Sequence, residues 1–338
     1  MPVVTLACHA MATRFEVALH GQDPVALRAA GEEALAEIER LENRLSLFRP
    51  GSEISEVNAR AAGQSVRVTP EVFALLLRAR DLHQATEGAF DITIAPLVRC
   101  WGFLGGQGRV PGAEELAETR ACVGMHLVQL DPASFSVRFA RHGVMLDLGA
   151  IGKGYAIERA ADLLREAGVE SALLHGGTST VYGLGHPPNA GSWGVAITAP
   201  IEPGQTGTGT PPPSATTILK LQSGSEDNAA PGPVLAVVPL KDEALSVSAV
   251  WGKFFKTGGR TFGHIIDPRD GYPADRAILA AVAHASATQT DALSTALLTV
   301  GLEGHDALAQ LRPGMRTLVV RDSGATRAQG IAVAATVR

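Results

Sequence analysis

Cysteine is scarce in this chain of 338 residues. The three present, Cys8, Cys100 and Cys122, are too few and too widely spaced for a disulfide framework or a thiolate metal site, so free thiols are expected. Leu6-Ala7-Cys8 echoes a lipoprotein cleavage site, but the residues before it hold neither a basic start nor an apolar run. A surplus of basic charge is missing too. The 29 Lys and Arg face 34 Asp and Glu, a net charge of −5, without the cationic footprint that broad nucleic-acid binding requires. Any anionic ligand must therefore be held by local groups or by a metal. No stretch reaches the roughly 20 consecutive apolar residues that cross a bilayer. No membrane span is expected, and in the absence of a recognisable leader the expected compartment is the cytoplasm. Short-period repeats are lacking as well.

What is present is the balance of a folded protein, with 46% apolar and 19% charged residues. The length predicts one large unit or two closely packed α/β lobes. Residues 3 to 19 read as β-structure broken at His9 to Ala12, with Phe15, Val17 and Leu19 alternating. Leu27, Ala34, Leu35, Ile38, Leu41 and Leu45 recur at helical spacing over 24–45. A second helix follows Thr69-Pro70 and runs to about Ala85. Phe135 to Leu148 alternates like a hairpin with His142-Gly143 as its turn. A helix over 155–167 precedes a strand over 171–174. Strands are also expected over 234–239 and 278–284, and a helix over 291–300. Residues 203–233, rich in Gly, Pro, Ser and Thr, lack periodicity and read as a disordered loop insertion within a single domain over 1–338.

Three junctions place polar residues inside otherwise apolar sequence. In Asp147-Leu-Gly-Ala-Ile-Gly-Lys153-Gly154, three glycines allow close backbone approach, a helix N-terminus supplies unpaired N–H groups and Lys153 adds charge. The combination suits a phosphate, although such a turn also occurs as a structural feature. In Thr290-Asp291-Ala-Leu-Ser294-Thr295, Asp291 and Thr295 share a helix face. They either ligate a hard, oxygen-seeking cation such as Mg²⁺ or act as a cap and a backbone-bonded hydroxyl. In Gly263-His264-Ile265-Ile266-Asp267-Pro268-Arg269-Asp270-Gly271, His264 is expected at a strand start. There it is an acid, a base, a phosphate contact or a structural group.

These segments, in order with Gly88-Ala-Phe-Asp-Ile-Thr-Ile-Ala-Pro-Leu-Val-Arg-Cys-Trp-Gly-Phe103, resemble the blocks of the ApbE-type FAD:protein FMN transferases. Ser46-Leu-Phe-Arg-Pro-Gly-Ser-Glu-Ile-Ser-Glu-Val-Asn58 and Met11-Ala-Thr13 resemble two further blocks. The resemblance implies an α+β fold of two packed lobes with FAD held between them. It implies transfer of the FMN half to an exposed threonine or serine of an acceptor protein, with AMP released. By position in the motifs, Met11, Phe48, Ala89, Phe90, Asp91, Asp147, Lys153 and Ile265 would contact FAD. The Ala150 carbonyl, Asp291, Ser294 and Thr295 would hold Mg²⁺.

Physical chemistry is compatible with those roles. Breaking a pyrophosphate builds charge on phosphate oxygens, which Mg²⁺ and Lys153 would neutralise, while His264 would orient or deprotonate the acceptor hydroxyl. The chain departs from the family pattern at Gly176-Gly177-Thr178-Ser179, where a carboxylate is frequent after the two glycines. It departs again at Val247-Ser248-Ala249, where glycine is common in third place. Two other readings stand beside transfer: Mg²⁺-dependent hydrolysis of FAD to FMN and AMP, and a non-catalytic flavin-binding protein. The His264 assignment predicts that His264→Ala loses transfer of flavin to the acceptor. Intact labelling by that variant across the pH range would remove the assignment.

Overall fold

The computed structural model describes residues 2–198, 216–218, 234–250 and 253–334. The chain opens with a hairpin of β1 (Val3–Ala10) and β2 (Thr13–His20). Its turn residues, Met11 and Ala12, have φ of 50° and 58°, as a two-residue turn between right-twisted strands requires. Neither is glycine, so the turn holds local strain. The helix α1 (Pro24–Leu45) begins where expected. Asp23 accepts hydrogen bonds from the N–H groups of Val25 and Ala26, and proline occupies the first turn.

A small α/β part follows: α2 (Glu53–Arg60), β3 (Val66–Arg67), α3 (Pro70–Ala85), α4 (Ala95–Cys100), α5 (Ala113–Arg120), β4 (Val128–Asp131) and β5 (Ser136–Phe139). Its three strands pair antiparallel in the order β3-β5-β4. Here one expectation is corrected. The partners of β5 are β3 and β4, not residues 144–148. That later segment alternates in burial, but its backbone is engaged elsewhere. The Asn58 amide brackets Leu146, donating to its carbonyl at 2.9 Å and accepting from its N–H at 2.7 Å. Asp147 N–H donates to Ile92 O at 2.7 Å.

The remaining elements are α6 (Gly152–Glu166), β6 (Ser171–Gly176), β7 (Thr180–Leu184), β8 (Trp193–Thr198), β9 (Thr216–Ile218), β10 (Val234–Leu240), β11 (Glu243–Ala249), β12 (Phe254–Thr257), β13 (Arg260–Gly263), β14 (Leu279–His284), α7 (Ala287–Ala309), β15 (Arg316–Val320) and β16 (Thr326–Gln329). An eight-stranded antiparallel sheet, β1-β2-β6-β7-β11-β14-β15-β16, organises the fold. Strand alternation sends side chains to both faces. Leu174 joins the larger core beneath α1, α6 and α7, whereas Leu173 joins a second core. That second core lies between the sheet and the smaller sheet β10-β8-β9, around Trp193, Val195 and Leu245. The architecture is α+β, as expected.

Two further expectations change. His264 follows β13 rather than starting a strand. Of the 203–233 insertion, Thr216–Ile218 forms β9 and pairs with β8, as β-branched residues favour; the rest of that insertion lies outside the described residues. Among the described residues no helix is long and apolar enough to cross a membrane.

Helices α6 and α7 approach closely at Gly154. A Cβ there would collide with the Ala287 carbonyl oxygen and lie 2.7 Å from Asp291 Cβ. Gly154→Ala is therefore expected to destabilise the protein by about 1–3 kcal/mol through overpacking. Urea denaturation checks this, and an unchanged midpoint would show that the helices can part freely.

Candidate functional site

The sheet carries its polar residues to the ends of α6 and α7. Asp147 leaves the Asn58 clasp and turns, its Oδ1 accepting from Gly149 N–H at 2.8 Å. Lys153 Nζ donates to Gly149 O at 2.9 Å and closes the loop over the start of α6. The N-cap residue Ile151 makes no side-chain cap bond; Gly152 N–H donates to Leu148 O at 2.7 Å and Gly154 N–H to Asp291 Oδ2 at 2.9 Å. Burial raises the Asp147 carboxyl pKa, outweighing the opposing pull of the Gly149 N–H and of the Lys153 and Lys253 charges.

Asp291 is 4% exposed. Its Oδ2 accepts from Gly154 N–H at 2.9 Å, and Thr180 Oγ1 donates to its Oδ1 at 3.5 Å. A chain of hydroxyls extends from there: Thr180 Oγ1 lies 3.1 Å from Ser246 Oγ, and Ser246 Oγ lies 2.8 Å from Thr290 Oγ1. On the next turn of α7, Ser294 and Thr295 donate to Asp291 O at 3.0 and 3.4 Å. Both also meet Ser248 Oγ, at 2.8 and 3.2 Å.

This donor set suits a hard divalent cation. Among the described residues no Lys, Arg or His pairs with Asp291, although a nearly buried carboxylate requires a compensating charge. Apart from the Gly154 N–H, the groups around it are neutral hydroxyl oxygens, a chemistry compatible with Mg²⁺. No cluster of three or more His, Cys, Asp or Glu suited to a metal occurs among the described residues. The expected set thus has one carboxylate, with Ala150, Ser294 and Thr295 supplying uncharged oxygens.

His264 is tied to Lys253 through both backbone and ring. Its N–H donates to Lys253 O at 3.0 Å, and its Nδ1 lies 3.2 Å from that carbonyl and 3.3 Å from Lys253 N. Phe103 packs edge-on at 6.5 Å between centroids. Burial lowers the His264 pKa, and the positive charges of Lys253 and Lys153 lower it further against the Lys253 backbone contact. Both effects favour the neutral ring. Ile265, half-buried beside it, accepts from Ala274 N–H at 2.8 Å.

The Ala89–Asp91 segment is buried. Asp91 Oδ1 accepts from Thr93 N–H and Oγ1 at 2.7 and 2.6 Å, and its Oδ2 lies 3.2 Å from His83 Nδ1. Burial pulls the His83 pKa down, but the Asp91 hydrogen bond and charge leave it raised overall. A cavity of about 570 Å³ opens here between His83, Gly88, Asp91, Arg120 and Arg269. Of the expected contacts only Asp91 lines it. Trp101 Nε1–H donates to Gly271 O at 2.8 Å and so joins the block at 88–103 to the block at 263–271. Met11 is half-buried at the strained turn, and Phe48 is 71% exposed.

Sequence reasoning missed Thr180, Ser246, Asn58, Lys253 and His83. Thr180 and Ser246 had one signal: hydroxyls at fully buried positions of neighbouring central strands. Lys253 had none, because its role depends on where His264 lies. At the departures from the family pattern, Thr178 is exposed, Val247 N–H donates to Ser179 O at 2.7 Å, and Ala249 pairs with Leu279.

The profile of the ApbE family matches residues 11–319. A FAD:protein FMN transferase of Klebsiella pneumoniae (strain 342) is 29% identical over 288 residues, covering 82% of this chain and 80% of that protein. The crystal structure of the ApbE protein of Thermotoga maritima aligns with a TM-score of 0.80 and 25% identity, covering 97% of each chain. The apo form of the Pseudomonas stutzeri flavinyl transferase ApbE aligns with a TM-score of 0.78 and 28% identity, covering 97% of this chain and 95% of that one.

The electrostatics around His264 can be tested directly. Lys153→Met removes a positive charge that disfavours imidazolium, so the His264 titration midpoint should rise while burial keeps it below the ordinary histidine value. An NMR pH titration of the ring reads this shift, and an unmoved midpoint would show that the two groups do not interact.

Proposed function

The chain belongs to the ApbE family, and from that premise we propose that it transfers the FMN half of FAD to a threonine or serine hydroxyl of a target protein, releasing AMP in a Mg²⁺-dependent reaction. The observation that carries the reading is the buried Asp291 carboxylate. It has no basic partner among the described residues and is bonded through Gly154 to the helix whose first turn bears Lys153. The names of the Klebsiella and Pseudomonas relatives support the same activity.

In this reading the acceptor oxygen forms a bond to the FMN phosphorus, the bond from that phosphorus to the bridging oxygen breaks, and AMP leaves with that oxygen. Asp291, Ser294, Thr295 and the Ala150 carbonyl would hold Mg²⁺, which when bound supplies charge neutralisation at the phosphate oxygens. Lys153 adds its ammonium to the same charge from the first turn of α6. The hydroxyls of Thr180, Ser246 and Thr290 hold the Asp291 carboxylate in one orientation. With Nδ1 engaged by the Lys253 backbone, His264 presents Nε2 to the acceptor hydroxyl, and its lowered pKa keeps that nitrogen able to take the proton. Exposed Phe48 offers a flat face to the flavin ring, and Met11 and Ile265 supply apolar contact.

Incubation with FAD, Mg²⁺ and a threonine-bearing acceptor domain from a flavinylated protein is expected to give AMP and acceptor-bound flavin fluorescence together. EDTA should abolish both, and Asp291→Ala should lower both by on the order of 10²-fold. AMP without labelling would replace transfer by hydrolysis, and retained FAD without AMP would leave only a binding protein.

A further inference from the structure

Strands β12 and β13 form a two-stranded ribbon that pairs with no other strand among the described residues. Its setting is unusual in two respects. Aromatic residues are only 5% of the chain, yet one series of rings runs under this ribbon from the surface to His264. Tyr272 meets Trp101 at 5.8 Å, Trp101 meets Phe262 at 5.4 Å, and Phe262 stacks on Phe255 at 5.2 Å. Phe255 meets Phe103 at 5.5 Å, and Phe103 meets the His264 ring. Packing of this kind fixes the ribbon relative to His264.

The second respect is charge. Between Glu243 and Asp267 the sequence has no acidic residue, while Lys253, Lys256 and Arg260 fall within it, in a chain whose net charge is −5. Elsewhere the arginines largely pair with carboxylates, as Arg109 does with Glu115 and Arg269 with Asp267. Among the described residues none of the three ribbon cations pairs with a carboxylate. Arg260 lies over the Phe262 ring at 5.4 Å. Lys256 is exposed on the same ribbon face as Phe254, which is 39% exposed, while Arg260 is exposed on the opposite face. The ribbon is thus a packed, unpaired arm with exposed cations on both faces and an apolar contact point, ending at the candidate proton acceptor.

We propose that the β12–β13 ribbon is the docking arm for the acceptor protein, and that it recognises an acidic, extended segment flanking the target hydroxyl. The proposal rests on the transfer reading above. Unpaired cations at a rim select an oppositely charged partner and speed encounter, and an unpaired ribbon edge can accept an extended chain by backbone hydrogen bonding. The exposed aromatic ring gives the apolar anchor such contacts use. Phosphates of FAD are the competing anionic occupant, and the test separates them.

The experiment titrates the full chain, loaded with FAD and Mg²⁺, against two fluorescein-labelled synthetic peptides sharing a central threonine. One is flanked by Asp and Glu, the other by Asn and Gln, and binding is followed by anisotropy at low salt. The acidic peptide is expected to bind at least about tenfold tighter. Lys256→Glu with Arg260→Glu should remove that preference and leave FAD affinity unchanged. A control with the same change in net charge, Arg28→Glu with Arg138→Glu, should keep the preference. Equal affinity of the two peptides, preference surviving in the ribbon variant, preference lost in the control, or FAD affinity falling with the ribbon charges would each overturn the proposal. Absence of AMP release and labelling in the unsubstituted protein would instead defeat the transfer reading, which the peptide titration does not measure.

Discussion

The hydrogen bond from Gly154 N–H to Asp291 Oδ2 is the contact on which the arrangement of the site depends. It joins two helices that come from distant parts of the chain, and it forms only because residue 154 has no side chain to hold them apart. Glu158, one turn further along α6, completes the joint by accepting from Ser286 Oγ at 2.5 Å and Thr288 N–H at 3.0 Å at the start of α7. A carboxylate of one helix thus caps the other, while a backbone group of the first orients the carboxylate of the second. Since Lys153 precedes Gly154 and Ser294 follows Asp291 by less than one turn, the same joint fixes the spacing between the basic and acidic parts of the site.

Around this joint the apolar and polar layers have separate tasks. Ala244 and Ala280 in the central strands and Ala292 on α7 are completely buried, and these small residues let α7 settle close to the sheet. The hydroxyls of Thr180 and Ser246 are then within reach of Asp291 and Thr290. The hydroxyls of Thr180, Ser246 and Thr290 each have a partner, so this polar layer adds direction without leaving them unsatisfied. The residues expected to meet the flavin lie outside this layer, with Phe48 exposed and Met11 in the strained turn of the first hairpin.

Much of the fold was legible in the sequence where period and punctuation agree. The helix at 24–45 had both an apolar stripe and an Asp-Pro start, and the helix at 70–85 had its threonine and proline. The segment at 144–148 misled because alternation reports burial rather than pairing; Asn58 and Ile92 took the backbone groups a strand partner would have used. The candidate site was legible in its contiguous pieces, Asp147 to Lys153 and Asp291 to Thr295. Its cross-chain pieces were not. Nothing near Thr180 or Lys253 in sequence shows that one will face Asp291 and the other will hold a histidine ring, because both relations arise only when strands and loops far apart in sequence come together.

The order of the central sheet also governs how the molecule can be assembled. After the first hairpin forms, the inner edge of residues 13–20 has no partner until residues 171–176 arrive, and residues 180–184 must in turn await 243–249. Apart from the short β6–β7 hairpin, the rungs at the centre of the sheet join segments far apart in sequence, the kind of contact that slows folding. During synthesis the opening hairpin therefore waits with a row of unpaired amides and carbonyls, a template for pairing with the wrong chain. Demand for protection from self-association is consequently greatest early in this protein's life, before any part of its site exists.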